Sequence, residues 1–160
     1  ILAVPSGTNV SGGLAALSGL TFVRRDPDHV MGRQIERYLA EAGLSPPQRF
    51  EMDSNQSISA LVAGGSGWTI TTPLSLLRAG RFADRIEAHP LPGTPISRRI
   101  VLYATDDWTG PIPAQIAERA RDLIEEHFAE PGRARMPWLG DSFRARRDAV
   151  GPGGSDSGAG

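Results

Sequence analysis

The sequence predicts an α/β fold in which a parallel sheet is flanked by helices, and three observations predict it. Between Leu20 and Thr71, extended apolar runs alternate with amphipathic helical runs in the order β-α-β-α-β. That alternation places helices on the faces of a parallel sheet. The connections within it are short, of the roughly two to six residues usual in such units. The chain has 160 residues, 39% of them hydrophobic and 22% charged, enough to bury the core of about one domain.

Each element follows from local chemistry. Residues 1–4 are a short apolar run stopped by Pro5, the end of a buried strand, and residues 6–13 are a Gly/Ser/Thr/Asn-rich loop. Leu14-Ala15-Ala16-Leu17 makes one helical turn, and residues 20–23 form the second strand, running into Arg24-Arg25-Asp26-Pro27-Asp28. Met31, Ile35, Leu39 and Ala42 then recur at helical spacing with Tyr38 beside them. Asp26 or Asp28 is expected to cap this helix, Pro27 suits its first turn, and Gly43 stops it ahead of Pro46-Pro47. Residues 49–52 are the third strand, and Asp53-Ser54-Asn55 supplies caps for a helix carrying Ile58, Leu61 and Val62 that ends at Gly64-Gly65. Residues 68–71 form the fourth strand, closed by Thr72-Pro73, and a short helix spans residues 74–77. Two further strands are expected at residues 86–91 and 98–104. Pro113 opens the longest helix, striped by Ile116, Ala120, Leu123, Ile124 and Phe128 and terminated by Pro131-Gly132. The Arg-, Gly- and Ser-rich residues 131–160 read as a disordered tail.

Composition removes several function classes. There are 17 basic residues, all Arg, against 18 acidic ones, for a net charge of −1, so the chain lacks the basic surface of a polyanion binder. The absence of cysteine excludes disulfides, thiolate metal sites and cysteine nucleophiles. His29, His89 and His127 fit no metal-ligand spacing and read as surface or capping residues; no metal and no cofactor are expected. Gly64-Gly65-Ser66-Gly67 resembles a nucleophile elbow superficially, but it follows a helix and precedes a strand, the reverse of the order the elbow needs. The same inverted order and the absence of a following Gly-Lys-Ser/Thr exclude a phosphate loop.

Three polar clusters remain: Arg24, Arg25 and Asp26; Asp53, Ser54 and Asn55; and Thr71 with Thr72. Each is explicable as a cap or a solvated charge pair. Each also ends one of three successive parallel strands, and ligands of open α/β sheets bind outside the carboxyl ends of strands. Helix N-termini at the same edge offer free amides and a positive dipole end to an anion. The candidate ligand-binding residues are therefore Arg24, Arg25, Asp26, Ser54, Thr71 and Thr72. No catalytic constellation accompanies them, so an enzyme is not expected.

Leu17-Ser18-Gly19-Leu20-Thr21-Phe22-Val23-Arg24 followed by Gly32-Arg33-Gln34-Ile35-Glu36 resembles the start of the second subdomain of a LysR-type effector-binding domain. Leu61-Val62-Ala63-Gly64-Gly65-Ser66-Gly67-Trp68-Thr69-Ile70-Thr71-Thr72-Pro73 resembles that family's glycine signature, and Pro90-Leu91-Pro92 its return. The resemblance covers residues 1–128. It implies a periplasmic-binding-protein type 2 fold with two α/β subdomains around a cleft. Residues 1–20 would be the end of the first subdomain and the crossover, 21–85 a complete second subdomain, and 86–130 the return to a partial first one.

The function so implied is the effector-sensing module of a transcription regulator, binding a small, anionic metabolite in the cytoplasm, with no membrane partner. The full-length protein would be a homo-oligomer that binds DNA through an N-terminal helix-turn-helix upstream of Ile1. A solute-binding protein of the same fold serving a transporter is the alternative.

Overall fold

The computed structural model describes residues 1–46, 49–105 and 110–146. The chain forms two compact units, Ile1–Ser97 and Arg98–Gly160. The first holds a five-stranded sheet of β1 (Leu2–Pro5), β2 (Thr21–Arg24), β3 (Arg49–Glu51), β4 (Gly67–Ile70) and β5 (Ile86–His89), in the spatial order β3-β2-β4-β1-β5. Helices α1 (Val30–Glu41), α2 (Asn55–Ala63) and α3 (Pro73–Leu77) connect or follow the strands.

The expected parallel arrangement holds for β2, β3 and β4, where Phe22 pairs with both Arg49 and Trp68. The sheet as a whole is mixed, because β1 runs antiparallel to β4 and β5, with Leu2 opposite Ile70 on one side and His89 on the other. Apolar periodicity fixes which residues are buried but not the direction in which a strand joins. Only the helix-connected run β2-α1-β3-α2-β4 is constrained to be parallel.

Phe22, Leu2, Val4, Trp68 and Ile70 form the sheet's core cluster, and Ile35, Tyr38 and Leu39 of α1 pack onto it. Phe22 and Trp68 lie with ring centroids 4.6 Å apart. Tyr38 is buried with that face, and its hydroxyl donates to the Pro92 carbonyl at 2.6 Å. Two glycines are dictated by close approach. A Cβ on Gly67 would lie 2.6 Å from the Thr21 carbonyl oxygen, and one on Gly32 would lie 2.0 Å from that of Asp26.

Neither Asp26 nor Asp28 caps α1. The N-cap is His29, without a side-chain bond, and the Asp26 carboxylate instead accepts from the Asp28 amide at 2.7 Å in a local turn. Pro27 accordingly sits ahead of the helix rather than in its first turn. Pro47, the second proline beyond α1, lies outside the described residues.

The second unit departs further from expectation. Residues 98–105 form no strand, and Ile100, Leu102 and Tyr103 are exposed. A β-prone run becomes a strand only where a neighbour supplies the ladder. Helix α4 (Ile112–Ile124) does not stop at Pro131. It continues through a π-helical turn, Glu125–Ala129, into α5 (Glu130–Arg135) and then a 3₁₀ segment, Pro137–Ser142. The change of pitch leaves Pro131 in the first turn of α5, where no intrahelical N–H is needed. Residues 131–146 are thus structured rather than a disordered tail. The rest of that expected tail, 147–160, lies outside the described residues.

Candidate functional site

Because β2, β3 and β4 are parallel, their carboxyl ends lie along one edge of the sheet, with the N-termini of α1, α2 and α3 following. Ser54 caps α2, its side chain accepting from the Ser57 amide, and Thr72 caps α3, accepting from the Ser75 amide at 3.1 Å. The Thr72 hydroxyl also donates to Ser75 Oγ at 3.0 Å. Neither α2 nor α3 carries an acidic residue in its first turn. A carboxylate there would be stabilised by the helix dipole; the nearest acid to α2 is Asp53, which precedes the Ser54 cap.

The two adjacent arginines have different surroundings. Arg24 is largely buried, with Nε 3.4 Å from Glu51 and 3.6 Å from Glu36. Its charge is balanced by two carboxylates, one from the neighbouring strand and one from α1. Arg25 is half-buried and reaches across to the start of α2. There Nη1 donates to the Asp53 carbonyl at 3.1 Å and Nη2 to Asn55 Oδ1 at 3.3 Å. The Asn55 carboxamide in turn donates to the Ser75 carbonyl at 2.9 Å. One chain of contacts therefore joins Arg25, the first turn of α2 and the first turn of α3.

Thr71 stands apart from this chain. Its backbone N–H donates to the Ile1 carbonyl, and its carbonyl accepts from the Ile1 amine. Its side chain lines a cavity of about 10 Å³ together with Asn55, Ser59, Thr69 and Ser75. That volume is about enough for one water molecule.

Asp26 belongs to a second group at the same edge. One donor atom each from Asp26, His29 and Asp53 lies within 4.8 Å of the others, and His29 Nδ1 is 4.0 Å from Asp53 Oδ1. Linear spacing could not show this, since Asp53 arrives from a different strand end.

Of the six predicted residues, the structure thus joins Arg25 and Thr72 through Asn55 and Ser75, while Ser54 caps α2 beside that line. Arg24, Asp26 and Thr71 lie on the same edge but in separate local arrangements. Asn55 was legible only as part of a capping cluster. Its bond to a backbone carbonyl 20 residues away has no signature in the sequence.

In the second unit, Glu125 organises the segment after α5. Its carboxylate accepts from the Ala145 amide at 3.0 Å and from Arg133 Nη2 at 2.6 Å. The Ala145 amide first, and then Arg133, hold its carboxyl below the usual carboxylate range. Arg121, Arg133, Arg144 and three carboxylates line an open pocket of about 290 Å³ there. Charges of both signs face one another across it.

A mixed sheet flanked by helices, with its parallel strand ends capped in a row, is the architecture of a periplasmic-binding-protein-like ligand domain. The chain matches the LysR substrate binding domain over residues 2–144 and belongs to that family. It is an effector-binding domain of a LysR-type regulator, a cytoplasmic and non-catalytic class of protein. The match runs beyond Phe128, where the resemblance in sequence ends, and includes the helical residues after Pro131. It favours the regulator over the transport protein of the same fold. No curated protein matches the chain. No helix among the described residues is long and apolar enough to cross a membrane.

Proposed function

We propose that the chain senses a small anionic metabolite at the carboxyl edge of β2, β3 and β4. Residues 21–85 would form one wall of an inter-subdomain cleft, with β1 and β5 as its crossover strands. The observation that carries this reading is the placement of Arg25, held by the Asp53 carbonyl and Asn55 at the start of α2, a helix with no acid in its first turn. Arg25 supplies a planar fork for a carboxylate or phosphate. Ser54, Thr71 and Thr72 would add short hydroxyls, and Asp26 would accept from a ligand hydroxyl. Arg24, balanced by Glu36 and Glu51, holds the strand end from which Arg25 projects. In the full-length regulator, a homo-oligomer, the bound state would be passed to an N-terminal DNA-binding region.

Calorimetry on the full-length regulator with its inducer tests the reading. Loss of one charge-assisted hydrogen bond costs about 1.5–3 kcal/mol, or about 10- to 150-fold in affinity. Arg25→Ala is expected to fall in that range and Thr72→Ala at or below its lower end. Wild-type affinity in both variants, with the fold intact, would place the site elsewhere.

A further inference from the structure

We propose that Asp26, His29 and Asp53 form a site for one divalent transition-metal ion of the zinc class. The three side chains converge from three places in the fold: the loop after β2, the N-cap of α1 and the loop after β3. One donor atom from each lies within 4.8 Å of the others, and His29 Nδ1 stands 4.0 Å from Asp53 Oδ1. Zinc bonds imidazole nitrogen and carboxylate oxygen at about 2.0–2.2 Å, which sets neighbouring tetrahedral ligands about 3.3–3.6 Å apart. The side chains of His29 and Asp53 are 59% and 68% exposed, so rotation of unpacked groups closes the difference. The backbone beneath them is held more firmly. The His29 amide donates to the Asp26 carbonyl at 3.2 Å, and α1 lies against that same carbonyl at Gly32, where no Cβ fits. Asp26 Oδ1 accepts from the Asp28 amide at 2.7 Å, which orients the carboxylate. The Met52 amide donates to the Arg24 carbonyl at 3.0 Å and so brings Asp53 level with the end of β2.

The donor set is one that a cation explains. Two carboxylates this close repel one another. Among the described residues, His29 is the one ion-pair partner of Asp53, and Asp26 has none. His29 begins α1 without a side-chain capping bond, so the helix start makes no use of its imidazole. Two carboxylates and a neutral imidazole balance the charge of a divalent ion. The nitrogen donor also selects among cations, since imidazole suits zinc, nickel and copper, whereas magnesium and calcium take oxygen shells. Histidine spacing does not show such a set, because one histidine is joined by two carboxylates and Asp53 arrives from another strand end. Asp26 alone is shared with the proposed effector edge, and an ion held there would meet an effector oxygen in place of the carboxylate. The metal site needs neither guanidinium of the arginine pair and is independent of the anion reading.

Calorimetric titration of zinc chloride into the full chain, stripped of metal with a chelator and held near neutral pH, tests the site. One equivalent should bind, and nitrogen-15 NMR of the imidazoles should show the His29 Nδ1 resonance moving with it. Removing an outer-shell partner of a metal ligand costs about 10- to 100-fold in affinity, so losing a ligand itself, in His29→Ala or Asp53→Asn, should weaken zinc at least about tenfold. Both side chains are exposed, so both variants should fold, as circular dichroism will show. Asp26→Asn should also weaken zinc while keeping an oxygen for the Asp28 amide. His89→Ala and His127→Ala should bind zinc as the wild type does, and an equal concentration of magnesium should not displace it. A chain that takes up no zinc would refute the site. So would folded His29→Ala or Asp53→Asn variants with wild-type affinity, or equal loss of zinc in His89→Ala or His127→Ala. Displacement by equal magnesium would overturn the assignment to the zinc class.

Discussion

Gly32→Ala is expected to destabilise the first unit, although alanine is the better helix former. Gly32 lies in α1 where the helix crosses the loop that follows β2. A Cβ there would be 2.0 Å from the Asp26 carbonyl oxygen, 2.7 Å from its carbon and 2.9 Å from the Pro27 Cα. All three are backbone atoms, so no flexible side chain can swing aside. A carbon-to-oxygen approach normally stops at about 3.3 Å, so helix and loop must separate by about 1.3 Å. Helix propensity returns about 1 kcal/mol, whereas overpacking against a fixed neighbour costs typically about 1–3 kcal/mol and occasionally more. With three backbone contacts the cost lies at or above the upper end, and the net loss is about 2 kcal/mol. Urea unfolding followed by far-UV circular dichroism reads this directly. At an m-value of about 2 kcal/mol per molar, the midpoint should drop by about 1 M. Gly19→Ala is the control, since a Cβ there meets nothing within 4 Å, and its midpoint should hold or rise slightly. A Gly32→Ala midpoint at or above the wild type would show that the loop yields freely and that the close approach does not hold it.

Thr69→Val removes the buried hydroxyl that donates to the Val23 carbonyl at 2.7 Å while keeping the side chain's shape. It should cost about 1–2 kcal/mol in the same assay, and an unchanged midpoint would contradict that. The Glu125 carboxyl, depressed by the Ala145 amide and Arg133, stabilises the fold of the second unit above its ordinary pKa of 4.5, and this contribution is lost as pH falls through the lower folded value. The Ala145 amide shift should therefore titrate with a midpoint below 4.5 and lose that titration in Glu125→Gln; a midpoint at or above 4.5 would overturn the assignment. Ile100, Leu102, Tyr103, Ile112 and Ile116 are all exposed, so the isolated chain should associate with rising concentration. Sedimentation velocity should show this, with Ile100→Ser/Leu102→Ser shifting it toward monomer; a concentration-independent monomer would show the surface to be inert.

The run from β2 to β4 was legible because two periods alternate cleanly there. Ile35 and Leu39 keep helical spacing, Ser54 and Thr72 cap where a strand has just ended, and Gly43 and Gly64-Gly65 close the helices. What the sequence could not show depends on partners distant along the chain. The direction of β1 is set by Ile70 and His89 across the sheet. Residues 98–104 have the composition of a strand but no ladder among the described residues. Pro131 would break a regular helix, and only a change of pitch over Glu125–Ala129 accommodates it. The polar strand ends were identifiable as a group. That Arg24 meets Glu36 and Glu51 and that Arg25 reaches Asn55 depends on residues none of which adjoins the arginine pair in sequence.

The pairing of Leu2 with His89 has a consequence for how this unit can be transplanted. Opposed residues of an antiparallel pair lie about 5 Å apart, so nearly ninety residues of sheet and helices hang from two neighbouring backbone positions. A module of this kind can be spliced into a surface turn of a host protein at little cost in loop closure, because the host's two cut ends need scarcely move. It can also be circularly permuted: a tight hairpin would join Leu2 to His89, and the exposed turn at Gly64-Gly65 would supply new ends. The sheet order would be unchanged by such a cut. The unit is therefore suited to serve as an interchangeable cassette, with its recognition edge grafted, reshuffled or evolved independently of whatever it is joined to.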